Sequence, residues 1–262
     1  MKINPVDHKS TRLFLILGFF FITNAIVAEF MGVKIFSLDD TLKITPWVFH
    51  FFGQEIKGFN LTAGVLLWPF VFVLTDIINE YFGQRGVRLL SWITAAMIAY
   101  GFIMLFAAMH LVPSGFWYFS SQFGNDLNMD KAYNAVFGQG LWIIIGSLLA
   151  FLIGQVVDVT VFHWVKKRTG EKRMWLRSTG STLVSQLIDS FVVLFVAFYL
   201  GKMGQENRWS LQLVMAVACV NYIYKVLMAV LMTPVIYVVH VAIEKYLGHE
   251  YASHLKEEAM KS

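Results

Sequence analysis

The chain has 262 residues, of which 57% are hydrophobic, 16% aromatic and only 15% charged, and its mean hydropathy is +0.61. A soluble domain carries nearer a quarter charged residues, so the composition excludes that class and points to a polytopic helical membrane protein. The formal charge of +4 is then the charge of cytoplasmic loops rather than a nucleic-acid-binding surface.

No alternation of apolar and polar residues marks a closed barrel. The single cysteine, Cys219, excludes an internal disulfide and a multi-cysteine metal site. Residues 1–12 are polar, with Lys2, Lys9 and Arg12 against Asp7. The first apolar span covers about 13–36, longer than the apolar core of a signal peptide and without a small-residue cleavage site. The stretch 37–60 mixes Asp39, Asp40, Lys43, Glu55 and Lys57 with no cationic excess. A second span follows at about 61–82, where Pro69 predicts a kink.

Gly83-Gln84-Arg85-Gly86-Val87-Arg88 reads as a tight basic turn into a third span that ends near Met109. Residues 110–140 form the longest connection, with Phe116, Trp117, Tyr118, Phe119, Asp126, Asp130 and Lys131. That composition predicts an interfacial belt with a short surface helix. The fourth span, about 141–165, is followed by Lys166, Lys167, Arg168, Lys172, Arg173 and Arg177 against a lone Glu171. A fifth span at 178–200 and a short loop with Lys202, Glu206 and Arg208 lead to a sixth at 211–241. The tail is polar, mixed in charge and compatible with a short helix outside the bilayer.

Cationic excess falls on the N-terminus, the turn at 83–88 and the loop after the fourth span, which share one side if there are six spans. The positive-inside rule makes that side cytoplasmic. The expected fold is therefore an all-α polytopic membrane protein with six transmembrane helices and both termini in the cytoplasm. Its parts are a cytoplasmic N-terminus at 1–12, a transport domain at 13–241 and a cytoplasmic tail at 242–262.

Polar residues lie deep within five of these spans: Asn24 and Glu29; Asp76, Asn79 and Glu80; Gln155 and Asp158; Gln186 and Asp189; Asn221 and Lys225. Spacings of three or four give each cluster after the first a shared helix face, which must turn inward. Lys225 can neutralise Asp158 or Asp189, and amides can hold helices together. The carboxylates nevertheless outnumber the one ammonium at depth, so at least one needs a proton, a ligand or a cation. Acceptors, amides and one cation together suit a small planar ligand with several hydrogen-bonding edges, stacked on aromatic walls.

No P-loop sequence and no GxSxG occurs, and His249 and His254 are five apart, off one helix face, so no metal site is expected. Asn60-Leu61-Thr62 forms a glycosylation sequon at the outer edge. No enzyme, cofactor or nucleic-acid partner is expected.

The stretches LTDIINEYFG (74–83), GSLLAFLIGQVVDVTVF (146–162), STLVSQLIDSFVVLFVAF (181–198) and VNYIYKVLMAVLMTPVIYVV (220–239) resemble the queuosine precursor transporters, also called the vitamin-uptake-like family. The resemblance runs from the first span to the sixth. Its most specific elements are the Thr-Asp of the second span, Gly-Gln-x-x-Asp of the fourth, Ser-Thr-Leu with an inner Asp on the fifth, and Tyr-x-x-Lys on the sixth. It implies a bacterial inner-membrane importer of the 7-deazaguanines preQ0 and preQ1, without an ATPase of its own and working by alternating access.

The matching positions are Asn24, Asp76, Gln155, Asp158, Ser181, Thr182, Asp189 and Lys225. Departures are Gly140-Leu141, where members often carry a basic residue, and Asn221, which is an acid in some relatives. The expected substrate-binding set is Asn24, Asp76, Gln155, Asp158, Gln186, Asp189 and Lys225, with Gln155 and Asp158 facing Gln186 and Asp189 across two helices. A carboxylate would accept from N1–H and the exocyclic amine of the base, an amide would donate to O6, and a second carboxylate would balance the aminomethyl cation of preQ1. The expected partners are a 7-deazapurine and the lipid bilayer, and a homodimer is compatible. The alternative is a substrate-binding membrane subunit of an ATP-driven vitamin-type importer.

Overall fold

The computed structural model describes residues 8–118, 127–138, 141–169 and 174–261. Expectations resting on most of the N-terminal segment, on Phe119, Asp126 and Gly140, and on Glu171, Lys172 and Arg173 lie outside the described residues. Among the described residues five helices are long and apolar enough to cross a membrane, as an all-α polytopic protein requires.

Helix α1 spans Lys9–Met31. It is followed by strand β1 (Ile35–Ser37), the short helix α2 (Leu38–Leu42) and strands β2 (Val48–Phe51), β3 (Gln54–Lys57) and β4 (Asn60–Thr62). A 3-10 turn at Ala63–Leu66 then opens α3, Trp68–Met109. Helices α4 (Met129–Phe137), α5 (Leu141–Thr169) and α6 (Met174–Leu194) follow, and α6 ends in a π-helical turn at Phe195–Leu200. Helices α7 (Leu211–Leu247) and α8 (His249–Lys261) complete the chain.

The 42-residue α3 is not one rod, because Gly83 has φ 69° and ψ −173°, a conformation open essentially only to glycine. The hydroxyls of Thr75 and Ser91, each eight residues from Gly83, both lie within hydrogen-bond reach of Oε1 of Gln155, at 3.3 and 3.4 Å. Two positions equidistant from the break can meet one atom only if the chain folds back there. The first arm, 68–82, runs against α1, with Phe82 beside Phe14 and Gly64 beside Ala28. The second arm, 84–109, runs along it, with Leu90 at Gly18 and Phe102 at Phe30.

The same bookkeeping fixes the other directions. Helix α5 meets Glu29 at Ser147, Thr75 at Gln155 and Glu80 at Lys166, so it runs parallel to the first arm of α3. Helix α6 runs back along α5, from Arg177 at Glu80 through Ser185 at Asp158 to Val193 at Gly146. Helix α7 reverses again, from Lys225 at Asp189 through Thr233 at Thr179 to His240 at Tyr81. A Cβ at Gly146 would lie 3.1 Å from the Val193 carbonyl, so the seam between α5 and α6 is close there and a side chain would have to push that backbone back by a few tenths of an ångström.

The buried core joins α1, both arms of α3, α5 and α7, with Phe21, Ile77, Val87, Ile98 and Phe151 among its members. Outward-facing Phe19, Phe20, Ile103, Phe106 and Val238 are exposed, as residues facing lipid tails are. Lys9 Nζ donates to the Tyr246 carbonyl and Tyr251 to Ser10, so α1 and α8 meet at the end that holds the Gly83 turn.

Several boundaries differ from expectation. The stretch 32–67 contains two small antiparallel ladders, β1 with β4 and β2 with β3, where the sequence predicts the end of one span, a mixed-charge connection at 37–60 and the start of the next. The β2–β3 turn places Phe52 and Gly53 at φ 52° and 75°, the left-handed pair that a two-residue hairpin turn uses. Asp39 is buried and accepts from the Phe59 amide at 2.6 Å, pinning this excursion, while Phe59 and Leu61 pack on Val220 and Tyr224 of α7. The first span ends at Met31 rather than 36, and the second helix begins at Trp68 rather than 61. Pro69 produces no kink: it sits in the first turn, where a missing N–H leaves no bond broken. Helix α5 runs on to Thr169, and α7 to Leu247 through Pro234. The expected surface helix is α4, capped by the Asn128 side chain on the Lys131 amide.

Replacing Gly83 by alanine forces a side chain into that backbone conformation at a cost of about 1–3 kcal/mol. The Gly83→Ala protein is therefore expected to melt at lower temperature in detergent and to accumulate less in membranes. An unchanged melting temperature would refute the hairpin geometry.

Candidate binding cavity

A cavity of about 760 Å³ lies between α1, the first arm of α3, α5, α6 and α7, with the β excursion along its far end. That volume is within the range of about 300–1,000 Å³ common for small-molecule sites. Trp68, Phe72 and Phe151 make an aromatic wall, the Trp68 ring lying 5.7 Å from Phe151 and 6.0 Å from Phe72.

Asp76 reaches the cavity from the first arm of α3, where the i, i+4 spacing to Glu80 puts both carboxylates on one face. The Ser178 hydroxyl donates to Asp76 Oδ2, and Oδ1 is buried with no donor among the described residues. Gln155 enters from α5 with its side-chain amide against the hydroxyls of Thr75 and Ser91, whose protons have nearer acceptors in the Val71 and Val87 carbonyls, at 3.0 and 2.8 Å. Gln186 from α6 presents a second buried acceptor, Oε1, without a donor among the described residues. Nearer the β excursion, Lys225 of α7 pairs with Asp189 of α6, and Ser147 of α5 donates to Glu29 of α1.

The structure thus brings Asp76, Gln155, Gln186, Asp189 and Lys225 around one space. It does not bring two expected members to it. Asp158 stands one layer behind, accepting from Ser185 at 3.2 Å and facing the Ser181–Ser185 stretch of α6, with its second oxygen buried and unpartnered. The three-residue spacing does put Gln155 and Asp158 on the α5–α6 seam, but only Gln155 reaches the cavity, and Asp158 faces Ser185 rather than Asp189. Asn24 donates to the Phe20 carbonyl of its own helix at 2.8 Å and is not a lining residue.

The expectation of one deep ammonium is corrected. Lys166 and Arg177, read as loop residues, are each 1% exposed, and both pair with Glu80, at 3.2 and 2.8 Å. The reason is helix length: α5 continues past the expected boundary and α6 starts before it, carrying both cations into the bundle, where a buried charge must find a partner. Lys225 selects Asp189 of the two candidates.

Sequence reasoning placed Glu29 at depth but not in the binding set, and it missed Ser147, Ser178, Thr179 and Trp68. Glu29 carried a usable signal, a carboxylate inside an apolar span. The hydroxyls did not, because Ser and Thr occur on both inward and outward helix faces.

Removing the charge of Glu80 leaves two buried cations against an amide, and breaking a buried pair this way costs about 3–5 kcal/mol. Glu80→Gln is expected to lower the melting temperature of the purified protein by more than Asp189→Asn does, since the Lys225–Asp189 pair is 22% and 23% exposed. A thermal melt compares them, and equal effects would contradict the burial difference.

Comparison with known proteins adds the following. A family model described as "Putative vitamin uptake transporter" matches residues 62–239. The chain is 32% identical over 145 residues to a "Probable queuosine precursor transporter" of Bacillus subtilis, covering 55% of this chain and 59% of that protein. It is 28% identical over 180 residues to the "Queuosine precursor transporter" of Escherichia coli, covering 67% of this chain and 71% of the relative. A "Probable queuosine precursor transporter" of Haemophilus influenzae is 29% identical over 196 residues, 74% of this chain and 73% of that one. The match thus spans about three-fifths of the first relative and over two thirds of the other two. No solved structure matches.

Proposed function

The chain belongs to the vitamin uptake transporter family, and from that premise we propose that it imports 7-deazaguanine precursors of queuosine, preQ0 and preQ1, across the bacterial inner membrane. The relatives are named as queuosine precursor transporters, two of them as probable ones, and the apolar helices make this a multi-pass membrane protein. The observation that carries the reading is that Asp76 and Gln186, two residues lining the cavity, each keep a buried side-chain oxygen, Oδ1 and Oε1, without a donor within the described protein. Unsatisfied acceptors on residues that line a formed cavity favour a ligand rich in donors.

The guanine-like edge of a 7-deazaguanine presents N1–H and an exocyclic amine side by side, which one carboxylate can accept in paired fashion. In the proposed pose Asp76 takes that edge, the Gln155 amide donates to O6, and Gln186 accepts from a ring N–H. Trp68 and Phe151 stack on the ring face. Asp158 acts through α6, holding its hydroxyl-bearing stretch against α5. An analogue without the exocyclic amine would leave a buried acceptor empty and be rejected for that reason.

Six spans with both termini in the cytoplasm complete the proposal. The second arm of α3, with 26 residues, is about 39 Å long at about 1.5 Å per residue. The first arm, with 15, is only about 22 Å, and the four-residue 3-10 turn before it adds about 8 Å at about 2 Å per residue. The sum matches a hydrocarbon core of about 30 Å. Lys9, Arg85, Arg88, Lys166, Lys167 and Arg168 gather at the end where α1 begins and α7 finishes, supporting a cytoplasmic assignment for it. Access to the cavity then alternates between the β-covered end and the end closed by Glu80, Lys166 and Arg177. The binding-subunit alternative draws no support from the relatives, which are named as transporters.

A hydrogen bond to a charged group contributes about 1.5–3 kcal/mol, so Asp76→Asn is expected to reduce uptake of labelled precursor about tenfold or more at equal membrane abundance. Asp158→Asn, which acts at one remove, should reduce it less. Purified protein in liposomes should transport without an ATPase partner, and failure there with retained binding would favour the binding-subunit reading. For topology, Ser253→Cys in a Cys219→Ser background should react with an impermeant maleimide only from the cytoplasmic face, and Thr41→Cys only from the opposite face. Labelling of both from one face would overturn the six-span arrangement.

A further inference from the structure

We infer that Glu29 is the counter-charge for a cationic substituent on the ligand, so that the cavity favours a deazapurine carrying a protonated primary amine over its uncharged analogue. The inference rests on the proposed transport of such bases and asks what the unassigned acid on the wall is for. Four carboxylates line the cavity: Glu29, Glu55, Asp76 and Asp189. Asp189 is balanced by Lys225, and Glu55, at the covered end, lies 3.4 Å from Lys57. Asp76 accepts from the Ser178 hydroxyl and, in the proposed pose, its remaining oxygen is taken by the donors of the base edge.

Glu29 is left. Its hydrogen-bond partner is the neutral Ser147 hydroxyl, on Oε1, and among the described residues no Lys, Arg or His comes within 4 Å of it. The Lys225 ammonium is already engaged by Asp189, so the pair adds no net positive charge beside Glu29. A carboxylate at membrane depth is costly unless it is paired, and here the open side is the cavity.

The spacing fits one ligand touching both acids. Along α5, Ser147 marks the level of Glu29 and Gln155 the level of Thr75 and Asp76. Those positions are eight residues apart, a rise of about 12 Å. A bicyclic base extended by a one-carbon amine arm, with a hydrogen bond of about 3 Å at each end, covers a distance of that order. The base edge would then sit at Asp76 and Gln155, with the amine pointing along the cavity toward Glu29 and Ser147. A nitrile in the same place offers no proton and no charge, and leaves Glu29 uncompensated.

The test is competition for uptake of labelled base in cells that cannot make the precursor, with 7-aminomethyl-7-deazaguanine and 7-cyano-7-deazaguanine as unlabelled competitors. The wild-type protein is expected to be inhibited by the aminomethyl base at about tenfold lower concentration than by the cyano base. Glu29→Gln should remove that preference by weakening the aminomethyl base about tenfold or more while leaving the cyano base within about twofold. Glu29→Asp, which keeps the charge, should retain part of the preference. Thermal shifts of the purified variants with each base separate a binding defect from a folding one. Equal weakening of both competitors in Glu29→Gln, or a wild-type preference for the cyano base, overturns the inference while leaving transport of deazaguanines standing. Failure of both bases to compete in the wild type removes the transport reading and the inference with it.

Discussion

Glu80 is fully buried and meets Arg177 at 2.8 Å and Lys166 at 3.2 Å, with Lys166 also donating to the Glu80 carbonyl at 3.4 Å. Each of the three residues comes from a different helix, so the cluster ties the first arm of α3 to α5 and α6 at one end of the bundle. Inside a membrane protein apolar packing does little to choose between helix registers, because lipid tails are as apolar as side chains. Buried charges choose strongly, since a shift of one turn would leave a charge without its partner. The register of three helices, and with it the placement of everything on their inner faces, follows from where this cluster closes.

The binding wall is built on the same two helix faces. Asp76 precedes Glu80 by one turn on α3, and Ser178, which donates to Asp76, follows Arg177 directly on α6. Any displacement of α6 against the first arm that parts Ser178 from Asp76 also moves Arg177 against Glu80. The Asp76 contact in the cavity wall and the ionic cluster at its end are therefore two consecutive contacts of a single helix pair. The Glu80 carboxylate is held between two cations, Lys166 and Arg177, which is what allows three charged groups to lie so close together at depth.

Much of this was legible in the sequence, and the illegible parts share a cause. Apolar length located the helices, and the deep positions of Asp76, Gln155, Gln186, Asp189 and Lys225 named five residues that the structure gathers at one cavity. Helix periodicity says which residues share a face; it does not say how far a face reaches. Gln155 and Asp158 share one, but a residue on the α5–α6 seam can end at a cavity or behind its wall, and only the packing of Ser185 decides that for Asp158. Lys166 and Arg177 looked like loop residues because a basic run normally ends a span, and nothing local reveals that the helices on either side continue and carry two of those cations inward. The β ladders of 32–67 escaped for a related reason. Their strands are three or four residues long and depend on pairing across the excursion and on α7, contacts of long sequence separation.

The two ends of the cavity are closed by different physics, and the difference bears on how each could open. At the Glu80 end the seal is ionic and buried, so separating α3 from α6 exposes charges whose attraction falls sharply once water enters. At the other end the cover is the β excursion, held by Phe59 and Leu61 against Val220 and Tyr224 and pinned internally by Asp39 on the Phe59 amide. An apolar contact of that kind loses stability in proportion to the area parted and has no preferred partner to return to. In the proposed transport cycle the ionic end would act as a latch with one closed geometry, and the apolar end as a cover that slides. With the acids of the wall strung between them, Glu29 nearer the cover and Asp76 beside the latch, a ligand reaching both would touch each closure through a carboxylate.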